Sequence, residues 1–151
     1  MIVSRMNRVA WKCPLACRFA LRGNSMPIAV VSIPVSDQNK SLTFYTNVIG
    51  LKLVRDEPAG PDMRWLQLQP ADGGSTVALV TWFQGMAPGG LQGLLIHVND
   101  IDGEYRRMTT AGADCSPLDE QPWGRFTTMM DPDGNGLIIA QLSSPEAIRS
   151  H

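Results

Sequence analysis

Apolar and polar residues alternate along residues 28–35, with Val31, Ile33 and Val35 on one side, as in a strand that buries one face. The period then changes. Leu42, Tyr45, Val48 and Ile49 recur at helical spacing, and Asp37 stands where its carboxylate can accept a free N–H of the first turn. Gly50 follows, able to take the positive φ that ends a helix. Three more strands are predicted at about 51–56, 63–69 and 75–82, punctuated by Pro58, Gly60 and Pro61 and then by Asp72, Gly73 and Gly74.

The same order returns 63 positions later, where Leu94-Leu95-Ile96-His97-Val98-Asn99-Asp100 answers Val31-Ser32-Ile33-Pro34-Val35-Ser36-Asp37. It predicts a strand over 93–99, then a helix over about 101–111 capped by Asp100 and ended by Gly112. Strands follow near 113–117, 125–130 and 136–142, the last two joined by a tight turn from Asp131 to Gly136. Phe83–Gly90, with Gly85, Pro88, Gly89 and Gly90, reads as the linker between copies. A long period present only twice indicates a duplicated supersecondary unit, not a solenoid. The predicted class is α+β, βαβββ written twice, with module 1 at about 27–83 and module 2 at about 91–142 of a single domain spanning 26–151.

Composition sets the class of molecule. A chain of 151 residues, 44% hydrophobic and 18% charged, is sized for one globular domain with a core. No apolar run is long enough to span a membrane. A net charge of −1 gives no electrostatic footprint for nucleic acid. Charge is uneven, however. Residues 1–25 hold Arg5, Arg8, Lys12, Arg18 and Arg22 and no acid, which sets them apart as a basic extension outside the domain. Three readings remain open for it: a transit-type presequence, a basic arm, or upstream sequence ahead of a functional start at Met26. Cys13, Cys17 and Cys115 make no disulfide framework and no zinc spacing, so a reduced, cytoplasmic setting is expected.

Several segments together resemble one family. Val35-Ser36-Asp37, Ser41, Phe44-Tyr45-Thr46 and Val48-Ile49-Gly50-Leu51 resemble the opening module of the vicinal oxygen chelate superfamily of glyoxalases, bleomycin-resistance proteins and extradiol dioxygenases. Pro122-Trp123-Gly124 and Asp131-Pro132-Asp133-Gly134-Asn135 resemble its closing hairpin. The resemblance covers about 27–142 and implies paired βαβββ modules forming a U-shaped mixed sheet around a cleft, commonly in a homodimer. Enzymes of the family hold a divalent metal there with His, Gln or Glu; other members sequester a drug without one. Carried across, the four ligand positions fall on Val30, on or beside Leu79, on Gly93 and on Ile138. None offers a donor for a divalent ion, so no metal and no cofactor are expected.

Strand alternation then nominates the cleft lining. With Val31, Ile33, Val35, Leu66, Leu68, Leu94, Ile96 and Val98 under the helices, the cleft side receives Ser32, Trp65, Gln67, Leu95 and His97. By the same count it receives Val77, Leu79, Thr81, Ile138 and Ala140. Trp65 is either a stacking surface for a flat ligand or a core residue. Trp123 either forms the rim or pins its loop, and the face shown by Phe126, Thr128 and Met130 is open. His97 is either a general acid–base or a neutral histidine that hydrogen-bonds the ligand or a neighbour. Arg64 and Arg125 either meet an anion or are simply solvated. Asp131 and Asp133 are better explained by turn chemistry than by catalysis. The leading expectation is a metal-free protein that binds or sequesters a small, largely apolar molecule. Its alternatives are a lyase, isomerase or dioxygenase using a shifted metal site or His97, and a structural or regulatory dimer with an occluded cleft.

Overall fold

The computed structural model describes residues 26–144, so the basic extension lies outside the described residues. Module 1 consists of β1 (Val30–Pro34), α1 (Gln38–Phe44) continued by a π-helical turn (Tyr45–Ile49), β2 (Lys52–Gly60), β3 (Met63–Gln69) and β4 (Thr76–Val80). Module 2 consists of β5 (Leu94–His97), α2 (Ile101–Thr110), β6 (Asp119–Gln121), β7 (Gly124–Met130) and β8 (Gly136–Leu142). The strands form two mixed four-stranded sheets, ordered β1-β4-β3-β2 and β5-β8-β7-β6, with the first and last strands of each module parallel and the others antiparallel. This is the α+β, twice-written βαβββ fold expected. No helix among the described residues is long and apolar enough to cross a membrane.

Both helices start and stop as the sequence dictates. The Asp37 carboxylate accepts from the N–H groups of Asn39 and Lys40 at 2.9 and 3.1 Å, and Asp100 accepts from Gly103 N–H at 3.0 Å. Gly50 closes the first helix in the left-handed region at φ 89°. The strand expected at 113–117 does not form. Pro117 removes a donor, and what joins β7 there is Ser116, whose N–H donates to Thr128 O and whose hydroxyl accepts from Thr128 N–H. The edge strand forms later, at Asp119–Gln121, against Gly124–Phe126.

One core serves both modules. Ile33, Leu66, Leu68 and Leu79 from the first sheet and Leu137, Ile139 and Met129 from the second join Tyr45, Ile101 and Met108 of the helical segments in a single buried cluster. Each such side chain contributes about 2 kcal/mol of burial. The core lies between the helix-bearing sides of the two sheets. Among the described residues, the hydrogen bonds between modules also run along that side. Arg107 donates to Ile49 O, Tyr45 to Asp131, Asn135 to Pro34 O, and Ser36 and Ser41 to Asp133. Each sheet's other face is turned away from this core and is the open face, on which Leu95, Thr128 and Met130 are exposed while Ala78, Val80 and Ala140 are buried.

Candidate functional site

Cross-strand register assigns every side chain to a face, because directly paired residues point the same way. On the first sheet, Ser32 pairs with Ala78, which pairs with Gln67, and Gln67 pairs with Arg55; this row lies on the open face. Ile33, Leu79 and Leu66 form the next row, on the core face, with no exposure. The expectation that Val77, Leu79 and Thr81 line the cleft is thus corrected by one position. Val77 and Leu79 pack in the core, Thr81 lies exposed beyond the end of β4, and Thr76, Ala78 and Val80 take the open side. The run from Val77 to Val80 is apolar at every position, so alternation alone could not set its parity.

On the second sheet, Leu95, Ile138 and Thr128 form one open-face row, and His97, Ala140 and Phe126 the next. This settles Phe126, Thr128 and Met130 onto the open face. Leu95 is 41% exposed and Met130 67%, large values for apolar side chains in strands. Trp123, 36% exposed, stacks on Phe126 with ring centroids 5.0 Å apart. His97 is exposed and has no side-chain hydrogen bond or ion pair among the described residues. Nothing there orients its imidazole, as a general acid–base requires.

The first sheet's open face is more polar and internally tied. Trp65 Nε1 donates to Gln67 Oε1 at 2.8 Å, Gln67 Nε2 donates to Thr76 Oγ1 at 2.7 Å, and Thr76 Oγ1 donates to Ala29 O at 2.9 Å. Trp82 and Phe83, absent from the sequence reading of the cleft, extend this face. The Trp82 ring lies 6.3 Å from that of Trp65 and 5.9 Å from that of Phe83. Trp82 continues the parity of Ala78 and Val80 past the end of β4, so the one-position shift that puts Val77, Leu79 and Thr81 on the cleft side hides it, while Phe83 falls in the expected linker.

Two arginines considered for anion recognition are committed elsewhere. Arg64 grips Asp56 through Nε and Nη2, both at 2.7 Å, and Arg125 grips Asp102 at 2.6 and 3.0 Å. Hydrogen bonds from these guanidinium groups hold the carboxyls of Asp56 and Asp102 below the ordinary carboxylate value. Asp131 is equally committed: it accepts from the N–H groups of Asp133 and Asn135 at 2.9 Å, as its turn requires.

The donor set for a divalent metal does not fit. Val30 and Ile138 present alkyl groups and Gly93 no side chain. At the β4 position the open-face residue is Ala78, beside core-facing Leu79. Among the described residues, no three His, Cys, Asp or Glu side chains converge. A concavity of about 680 Å³ is an open depression at one end of the second sheet. Thr128, Met130 and Ile138 line it together with the 114–117 segment, including Cys115. Burial, and then the charge of Asp114, raise the Cys115 thiol above its ordinary pKa, so it is a poor nucleophile. Of the expected site residues, the structure joins Trp65 to Gln67 on one sheet, and Leu95, His97, Phe126 and Trp123 on the other. Among the described residues, no hydrogen bond or ring contact joins the two groups within one chain.

Known proteins resemble the chain in sequence and fold. TnmS3, an antibiotic binding protein from Streptomyces sp. CB03234, is 37% identical, with a TM-score of 0.75 over 81% of this chain and 100% of its own. A glyoxalase/bleomycin resistance protein from the same strain is 40% identical, with a TM-score of 0.70 over 75% of this chain and 98% of its own. YetH of Bacillus subtilis (strain 168) is 30% identical over 118 residues, 76% of this chain and 97% of its own length. Residues 28–139 match the family pattern of the Glyoxalase/Bleomycin resistance protein/Dioxygenase superfamily, and the chain belongs to that superfamily.

Proposed function

We propose that this protein binds and sequesters a small, largely apolar molecule without a metal, in a pocket walled by the open face of one sheet and the open face of the other sheet from a second copy. The carrying observation is the pair of open faces. They carry the half-buried Trp65, Trp82 and Phe126 and the exposed Leu95, Trp123 and Met130, while the family's metal positions hold only alkyl groups or hydrogen. The antibiotic-binding description of TnmS3, a relative of similar size, supports the same reading. A homodimer places Ser32, Gln67 and His97 as the polar points of an otherwise apolar pocket, and a cytoplasmic setting suits the free Cys115 thiol.

The test combines two measurements on the full chain. Elemental mass spectrometry of natively purified protein is expected to find far less than one equivalent of zinc, nickel, iron or manganese, before and after soaking. A thermal-shift screen over apolar and aromatic small molecules is expected to give ligands that raise Tm with dose. Near one equivalent of bound metal overturns the metal-free part, and a screen without hits overturns sequestration.

A further inference from the structure

The relay on the first sheet's open face has a chemical consequence. Trp65 is half-buried, and its indole edge is pinned because Nε1 donates to Gln67 Oε1 at 2.8 Å. Gln67 cannot rotate to release it. Its Nε2 is engaged by Thr76 Oγ1 at 2.7 Å, and Thr76 is anchored in turn on Ala29 O at 2.9 Å. Swinging the amide would leave the 7% exposed Thr76 without this partner, in a poorly solvated place. The relay therefore uses both polar ends of Gln67 and the only polar atom of Trp65. What Trp65 then offers a ligand is its ring surface. Trp82, tilted 44° to Trp65 at 6.3 Å, and Phe83, tilted 40° to Trp82 at 5.9 Å, continue that surface along one side.

Resting on the binding function proposed above, we infer that Gln67 is a positioning residue. It fixes the plane of Trp65 as a preset aromatic platform, flanked by the tilted rings of Trp82 and Phe83, which selects flat, fused aromatic molecules over globular apolar ones of similar size. A fixed ring costs less ordering on binding than a mobile one, and this favours ligands that stack face to face. The wall supplies selection by shape. Gln67 contributes to this selection through the ring it holds, by its bonds to Trp65 and Thr76.

The experiment uses calorimetry with two probes of equal charge, 1-pyrenemethylammonium and 1-adamantylammonium, and takes the ratio of their dissociation constants so that charge effects cancel. The wild-type chain is expected to prefer the pyrene by about tenfold or more, the scale of one aromatic stacking contact. Gln67→Met removes both hydrogen bonds at nearly constant size, and the preference is expected to collapse while adamantyl binding stays within about twofold. Gln67→Glu keeps an acceptor for the indole N–H and is expected to retain the ratio. Trp65→Leu is expected to abolish it. Near-ultraviolet circular dichroism should show the Trp65 signal altered in Gln67→Met and kept in Gln67→Glu. If both probes bind alike in the wild type, or Gln67→Met keeps the preference, the platform is overturned while apolar binding stands. If neither probe binds, the binding function falls and the platform with it.

Discussion

The hydroxyl of Tyr45 donates to Asp131 Oδ2 at 2.9 Å across the boundary between the two modules, and Tyr45 has no exposed surface. The same carboxylate oxygen accepts from Asn135 Nδ2 at 2.7 Å, and Asn135 Nδ2 also reaches Pro34 O at 2.8 Å. The turn that links β7 to β8 is thus also the clasp that holds β1 and the first helix. Tyr45→Phe keeps the ring and removes the donor. It is expected to destabilise the fold by about 1–3 kcal/mol, the cost of a buried charged acceptor losing a partner. Urea unfolding at neutral pH measures this, and the slope with urea should not change.

Alkaline conditions separate this clasp from other terms. Burial first, then the charge of Asp131, its hydrogen bond and the charge of Asp133, raise the Tyr45 hydroxyl far above its ordinary 10.0. The folded state keeps this proton where the unfolded chain releases it. The group's contribution is therefore whole below about pH 10 and falls as pH rises further, because the unfolded state then binds fewer protons. The stability gap between wild type and Tyr45→Phe should be flat through neutral pH and narrow above about pH 10. A gap that stays constant into strong alkali would mean that Tyr45 titrates alike in both states.

Much of this architecture was legible because local chemistry repeats. Asp37 and Asp100 cap helices at equivalent places in the two copies, and Gly50 and Gly112 both follow helices with φ of 89°. Facing was legible wherever one side of a strand is polar, as with Ser32 against Ile33. It failed at Val77–Val80, where both sides are apolar and only the pairing of Leu79 with Leu66 decides. The edge of the second sheet is not legible because, among the described residues, Ser116 alone joins residues 113–117 to β7, through one backbone bond and through hydroxyl bonds with Thr127 and Thr128, instead of a regular ladder. The outward turn of the open faces was not legible at all. It depends on Tyr45, Ile101 and Met108 meeting in one core, contacts far apart in the chain.

The linker is held at a defined point. Gly89 has φ 78°, and a Cβ built there collides with the carbonyl oxygen of Asp133. Gly73 has a similar φ of 85° with nothing within 4 Å of such a Cβ. The two glycines therefore separate backbone strain from close packing. Gly73→Ala is expected to cost about 1 kcal/mol, and Gly89→Ala about 2–3 kcal/mol because the backbone of the clasp turn must also move. Thermal and urea unfolding of both variants check the order. Equal losses would show that the linker does not bear on the turn.

The open faces make a specific claim about assembly. Leu95 and Leu53 are similarly exposed, at 41% and 45%, but they lie on different sides of their sheets. Leu95 shares the open-face row with Ile138 and Thr128, while Leu53 pairs with Leu68 on the core side. If a second copy covers the open faces, a charge at position 95 is buried unpaired in the interface, whereas one at position 53 stays in water. Sedimentation at micromolar concentration is expected to give twice the 16.5 kDa chain mass for the wild type and for Leu53→Lys, and a single-chain mass for Leu95→Lys. Leu53→Lys should keep the wild-type urea slope, since its side chain lies outside the shared core, whereas Leu95→Lys should unfold with a smaller slope per chain, having no interface left to expose. A wild-type chain that sediments alone would leave the two faces without their opposite walls. The ligand would then have to bind on a single open sheet, against Trp65 and Trp82.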